Sequence, residues 1–184
     1  MAAMGKKKRL QCVGISIPEI SRIVKRRLPA LKTGEFVVTS CPYDQYNCIA
    51  WAAADDVAIE RLPVSSDKRN DWWWPHQDGY WPDGVPYELT LEAFIEVFEG
   101  IGYSLCSNAA YEQGFEKVAI FTKDGVPSHA ARQIGPSKWT SKLGKFADIS
   151  HKLLAIEGDE YGRKTVILKR PRLTKADLGM ATRL

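Results

Sequence analysis

Four cysteines and three histidines are the residues of this 184-residue chain best suited to nucleophilic or metal chemistry. The cysteines are Cys12, Cys41, Cys48 and Cys106, and the histidines are His76, His129 and His151. No two cysteines form a C-x-x-C pair and the histidines are scattered, so the closely spaced ligands of a structural zinc site are missing. No metal and no cofactor is expected. Cys48 stands apart from the other thiols. It follows Asn47, a good helix N-cap residue, and opens the run Cys48-Ile49-Ala50-Trp51-Ala52-Ala53-Ala54. A thiol in the first turn of a helix gains thiolate character from the positive end of the helix dipole, and a nearby imidazole can take its proton. His129, at the head of a strand expected in the second half, is the candidate base. The chemistry to expect is acyl transfer. Cys48 attacks a carbonyl, while His129 holds the thiolate as an ion pair and protonates the leaving amine. The backbone N–H of Cys48 helps to bind the oxyanion, with Gln45 or Asn47 as a second donor. His76 is a minor alternative base in an aromatic loop, and His151 reads as structural or solvent-facing. The bland alternative is a buried thiol that only packs, beside a strand histidine bonded to a backbone carbonyl. Cys12, Cys41 and Cys106 read as core fillers kept reduced as thiols.

These residues need elements to position them. Ser16-Ile17-Pro18-Glu19 is a capping box, and Ile20, Ile23, Val24 and Leu28 follow at helical spacing until Pro29 stops the helix. Residues 35–39 read as a short strand or extended segment, and the Cys48 helix comes next. Periodicity then disappears from Arg61 to Pro86, a stretch that carries Trp72, Trp73, Trp74, Tyr80 and Trp81. These rings either form a secondary core that pins the loop or wall a groove beside Cys48. Thr90 caps a third helix with Leu91, Phe94, Ile95 and Phe98 on one face, ended by Gly100 and Gly102. Strands are expected over 117–122, 128–134, 138–143 and 164–169, with turns at Asp124-Gly125 and Gly135-Pro136. Residues 148–157 read as a short helix ended by Gly158. Helices first and an antiparallel sheet second is an α+β order.

The local sequence at both chemical positions resembles a known family. Cys48-x-x-Trp51-Ala52 is similar to the nucleophile helix of papain-like cysteine enzymes, and His129-Ala130-Ala131 resembles their histidine strand. The resemblance covers roughly residues 40–60 and 115–170. It implies a papain-like fold with N-terminal helices packed on a four-stranded antiparallel sheet, and a third residue that orients the imidazole. Ser141 occupies the position on the next strand where that residue belongs, and Asp148 lies further on. Either one orients His129, or the site is a dyad, or there is no catalysis. The chain resembles more closely an uncharacterised bacterial domain family, through Tyr46-Asn47-Cys48-Ile49-Ala50-Trp51-Ala52, Trp72-Trp73-Trp74-Pro75, Tyr80-Trp81-Pro82, His129-Ala130-Ala131-Arg132-Gln133 and Trp139-Thr140-Ser141-Lys142-Leu143-Gly144. That likeness implies architecture and no activity.

Composition bounds the partners. Hydrophobic residues make up 45% of the chain and charged residues 26%, too apolar for a disordered chain. The net charge of +4 is spread over the two ends, which argues against a nucleic-acid face. No apolar run is long enough to span a membrane, and no apolar segment follows the basic start as in a signal peptide. The expectation is a cytoplasmic protein with a flexible basic leader (1–13), one domain (14–172) and a C-terminal tail (173–184). The function expected is that of a thiol hydrolase or acyl transferase acting on a peptide or protein: a peptidase, amidase, deamidase or transglutaminase-like enzyme. Trp51, Trp73, Trp74, Trp81 and Trp139 are its candidate substrate contacts. The alternative is a non-catalytic peptide- or protein-binding module on the same fold.

Overall fold

The computed structural model describes residues 10–31, 34–44, 46–53, 73–75 and 80–172. Among them, α1 (Ile17–Arg27) starts where the capping box requires: the Ser16 side chain accepts from the Glu19 N–H, and a proline stands in the first turn where it breaks no bond. Its Ile20 and Val24 are buried and its last turn carries Lys25, Arg26 and Arg27, the sign that suits a helix C-terminus. β1 (Phe36–Val38) follows, and then α2 (Cys48–Ala53). α3 (Leu91–Glu99) is capped by Thr90, which accepts from the Ala93 N–H, and buries Phe94, Val97 and Phe98. After it come β2 (Ser104–Cys106), β3 (Phe115–Lys123), β4 (Val126–Gly135), β5 (Lys138–Lys142), β6 (Asp148–His151), a 3₁₀ turn (Leu153–Ile156) and β7 (Arg163–Pro171). No described helix is long and apolar enough to cross a membrane.

The strands form one seven-stranded sheet in the order β1-β6-β5-β4-β3-β7-β2, with every ladder antiparallel. This corrects the expected papain-like α+β fold with its four-stranded sheet: the molecule is mostly β, with few and short helices. The four expected strands are present as β3, β4, β5 and β7, but three more complete the sheet. β6 occupies part of the segment expected to be helical over 148–157. Asp148, Ser150 and His151 are polar yet buried, so no apolar alternation marks the strand. The β3–β4 hairpin turns where Asp124-Gly125 predicts, with φ of 53° and 82°. Both angles are positive, as a two-residue hairpin turn of this hand needs.

The sheet is buried on both faces, and β3 shows it residue by residue. Val118 and Ile120 point into a core shared with α2, α3 and the aromatic segment, whereas Ala119 and Phe121 point into a core shared with α1. β4 alternates likewise, with Ala130 in the first core and Ala131 in the second. β7 sends Leu168 to the first and Ile167 to the second. Residues 1–9 of the expected leader lie outside the described residues; Leu10 and Cys12 pack against the α1-side core. Cys12 is disulfide-bonded to Cys41, which corrects the reading of both as free thiols. A thiol in residue 12 and another in residue 41 carry no spacing signature, so only the folding back of the N-terminal segment brings them together.

Candidate functional site

Asn47 builds the local frame of the nucleophile candidate. Its Oδ1 accepts from the N–H groups of Ile49 and Ala50, each at 3.1 Å, which caps α2. Its Nδ2 donates to the Trp73 carbonyl at 2.8 Å, so the amide anchors the aromatic segment. That commitment takes away the role of second oxyanion donor expected for Asn47. Gln45, the other expected donor, lies outside the described residues, as do His76 and Trp72.

Cys48 opens α2 and is buried against Ala130 and the α3 core. Burial pushes its thiol up to about 11, while the backbone N–H groups of Ala130, Cys48 and Ile49 pull the other way by favouring the thiolate. The Ala130 N–H belongs to the peptide bond that links His129 to Ala130, so the sulfur reaches the residue next to the candidate base. The His129 ring itself lies with the other core. It stacks on Tyr161 at 4.0 Å and 22°, and Phe121 meets it edge-on at 5.8 Å. Among the described residues, neither ring nitrogen of His129 has a hydrogen-bond partner, and none reaches the Tyr161 hydroxyl. Burial holds the imidazole well below its ordinary value, and the Arg27 charge, with His151 whenever it is protonated, adds to this. The expected thiolate–imidazolium pair is therefore not the resting state. Cys48 and His129 are both neutral and are not hydrogen-bonded to each other.

The sheet is open between the two. The β4–β5 ladder runs from Gly135↔Lys138 to Arg132↔Thr140, and leaves His129 to Ala131 without a β5 partner. α2 packs against β4 and β5. Ala130, whose N–H reaches the thiol, lies in that stretch of β4 without a β5 partner.

Ser141 and Asp148, the two expected orienting residues, are occupied elsewhere. The Ser141 hydroxyl lies 2.8 Å from His151 Nε2, and His151 Nδ1 lies 2.8 Å from the Lys152 carbonyl. A carbonyl only accepts, so Nδ1 carries the proton and Nε2 accepts from Ser141. His151 is accordingly buried rather than solvent-facing, and burial brings it down to about 4. Asp148 lies in β6, where Oδ2 accepts from the Tyr46 hydroxyl at 2.8 Å and Oδ1 is unpartnered. Burial raises its carboxyl, against the Tyr46 bond and the nearby Lys142.

Around Asp148 runs a column of cations and rings. The Arg132 guanidinium sits 4.9 Å over the Trp51 ring, Trp51 stacks on Tyr46 at 5.8 Å, and Lys142 Nζ sits 4.8 Å over Tyr46. Lys142 also donates to the carbonyls of Tyr43 and Phe146. Trp51 lies one helical turn after Cys48 along α2. Trp73 and Trp81 are buried and Trp74 half-buried, packed with Tyr80 and Phe94 at ring distances of 4.9 to 5.2 Å. They pack into the core they share with Cys48 and α3. Trp139 belongs to the opposite, α1-side core, away from Cys48. Tyr161, Arg132 and Tyr46 had no chemical signal in the sequence, because their relation to the site comes from strand register alone.

A family model described as a domain of unknown function (DUF7689) matches residues 37–169, which run from within β1 through most of β7. No curated protein matches the chain, and no solved structure does.

Proposed function

The chain belongs to this family of unknown function, and from that premise we propose that it is a thiol acyl-transfer enzyme, with Cys48 as nucleophile and His129 as base, acting on amide or isopeptide carbonyls of a peptide or protein. The observation that carries the reading is the buried imidazole with two unpartnered nitrogens, adjacent in the chain to the N–H that engages the thiol. Leaving such a group unsatisfied costs about 1–3 kcal/mol, which a purely structural histidine avoids, as His151 does with two bonds. A general base needs a free lone pair. The neutral resting pair sets the order of events. As sulfur bonds to the carbonyl carbon, the thiol proton moves to a ring nitrogen of His129. The imidazolium then returns it to the leaving amine, and a thioester forms. Water or a second amine takes the acyl group and restores the thiol. Peptidase, amidase, deamidase and transglutaminase-like outcomes share these steps and differ in the carbonyl and the acceptor.

The test is the pH profile of Cys48 alkylation by iodoacetamide, read by mass spectrometry with Cys106 as internal control. A thiol assisted by His129 exists partly as the thiolate–imidazolium tautomer. Its rate should therefore level off between the imidazole and thiol titrations. His129→Ala should abolish that plateau. A second reading, the non-catalytic peptide- or protein-binding module, is favoured by the depth of the thiol, pushed up to about 11 by burial. It requires a Cys48 rate that climbs tenfold per pH unit toward 11, with no plateau and no response to His129→Ala.

A further inference from the structure

Tyr161 is fixed from three directions, and each constraint is independent of its ring. The turn that carries it closes on itself through the Gly158 N–H to Gly162 carbonyl at 2.9 Å and the reverse bond at 2.7 Å. Gly162 has φ of 68°, and a Cβ there would lie 2.0 Å from the Thr122 carbonyl oxygen, so the turn presses against β3 more closely than any other residue permits. The Ser128 hydroxyl lies 2.6 Å from the Tyr161 carbonyl oxygen, to which it donates. Ser128 is the residue before His129. The turn, β3 and β4 together lay the phenol ring flat on the imidazole at 4.0 Å.

Ser141 and Asp148 are both bonded elsewhere, and the described residues offer the His129 ring no hydrogen-bond partner. From this arrangement we infer that Tyr161 is the positioning residue of the site, orienting His129 by ring stacking in place of a hydrogen-bonded third residue. The inference rests on the Cys48–His129 reading. The chemistry follows from the stack. An aromatic face carries negative quadrupole density, so it favours a cation laid upon it. His129 becomes that cation when it takes the thiol proton. The other charged or titratable groups acting on it are Arg27 from α1 and His151 from β6, which as cations both oppose protonation. The Tyr161 ring is the counterweight.

Tyr161→Phe and Tyr161→Leu separate the ring from the hydroxyl. Phe keeps the stack and should hold the alkylation plateau of Cys48 within about twofold of the parent. Leu should lower the plateau about tenfold, the scale of a desolvated cation–π contact. Ser128→Ala, which frees the Tyr161 backbone and keeps the ring, should lower it less and in the same direction, and serves if the Leu variant does not fold. Equal plateaus in Phe and Leu variants that melt like the parent overturn the inference, as does a loss with Phe as large as with Leu. A parent protein with no plateau overturns the thiol reading itself, and this inference with it.

Discussion

At the residue scale the molecule keeps two imidazoles in places where protonation is unwelcome. Burial holds His151 at about 4 and His129 well below its ordinary value of about 6.5. Above that value neither the folded nor the unfolded chain is protonated there, and histidine titration takes nothing from stability. As the pH falls from about 6.5 toward 4, the unfolded chain takes up protons that the folded one refuses, so stability drops. For His151 the loss should reach about 3 kcal/mol below pH 4, from a gap of roughly two and a half pKa steps. Urea midpoints at pH 7.5 and 4.5 measure the fall, and His129→Phe should make it shallower. Cys48 and His129 were legible from residue type alone, because a thiol after an N-cap and a histidine on a strand both leave local signs. What could not be read was their neutrality. Burial depth is a property of the whole sheet, and no local pattern announces that a strand histidine lies between Phe121 and Tyr161.

Between residue and fold, the elements divide by how local their signals are. α1, α2 and α3 begin at Ser16, Asn47 and Thr90, as their capping residues predict, since a cap acts within four residues of itself. β6 shows the opposite case. Its polar residues bond distant partners, Tyr46 for Asp148 and Ser141 for His151, so its sequence carries no strand signal when read alone and reads as part of a helix. Asn47 joins the two kinds by capping α2 and holding the Trp73 carbonyl with the same side chain. Asn47→Ala should therefore cost about 1–2 kcal/mol or slightly more, the upper range for a lost cap, read from thermal or urea unfolding. Trp73→Ala should cost about 3–5 kcal/mol because the ring is fully packed, and Trp74→Ala about half of that. A flat response at both rings would remove their role as a secondary core and return them to the groove.

On the scale of the whole molecule, the disulfide and the strand order matter most. Cys12–Cys41 closes a loop of separation 29 that carries α1 and β1. Closing a loop of that length stabilises a chain by about 3–4 kcal/mol through the unfolded state. Reduction, or Cys12→Ser, should lower the guanidinium midpoint to match, while the sheet's own signals persist until unfolding. The strand order has a different consequence, one of timing. Both edge strands pair with strands made much later in the chain, β1 with β6 and β2 with β7. β7 also lies between β2 and β3, so β2 has no ladder at all until it is inserted. A chain growing on a ribosome can form the local β3–β4 hairpin early, but cannot close its sheet before residues 163–171 have left the exit tunnel. Until then β3 has one side unpaired and the Tyr161 turn has not returned to His129. On the reading proposed above, a nascent chain stalled before β7 would carry the thiol, the imidazole and Tyr161 itself, but with the phenol ring not yet laid on His129.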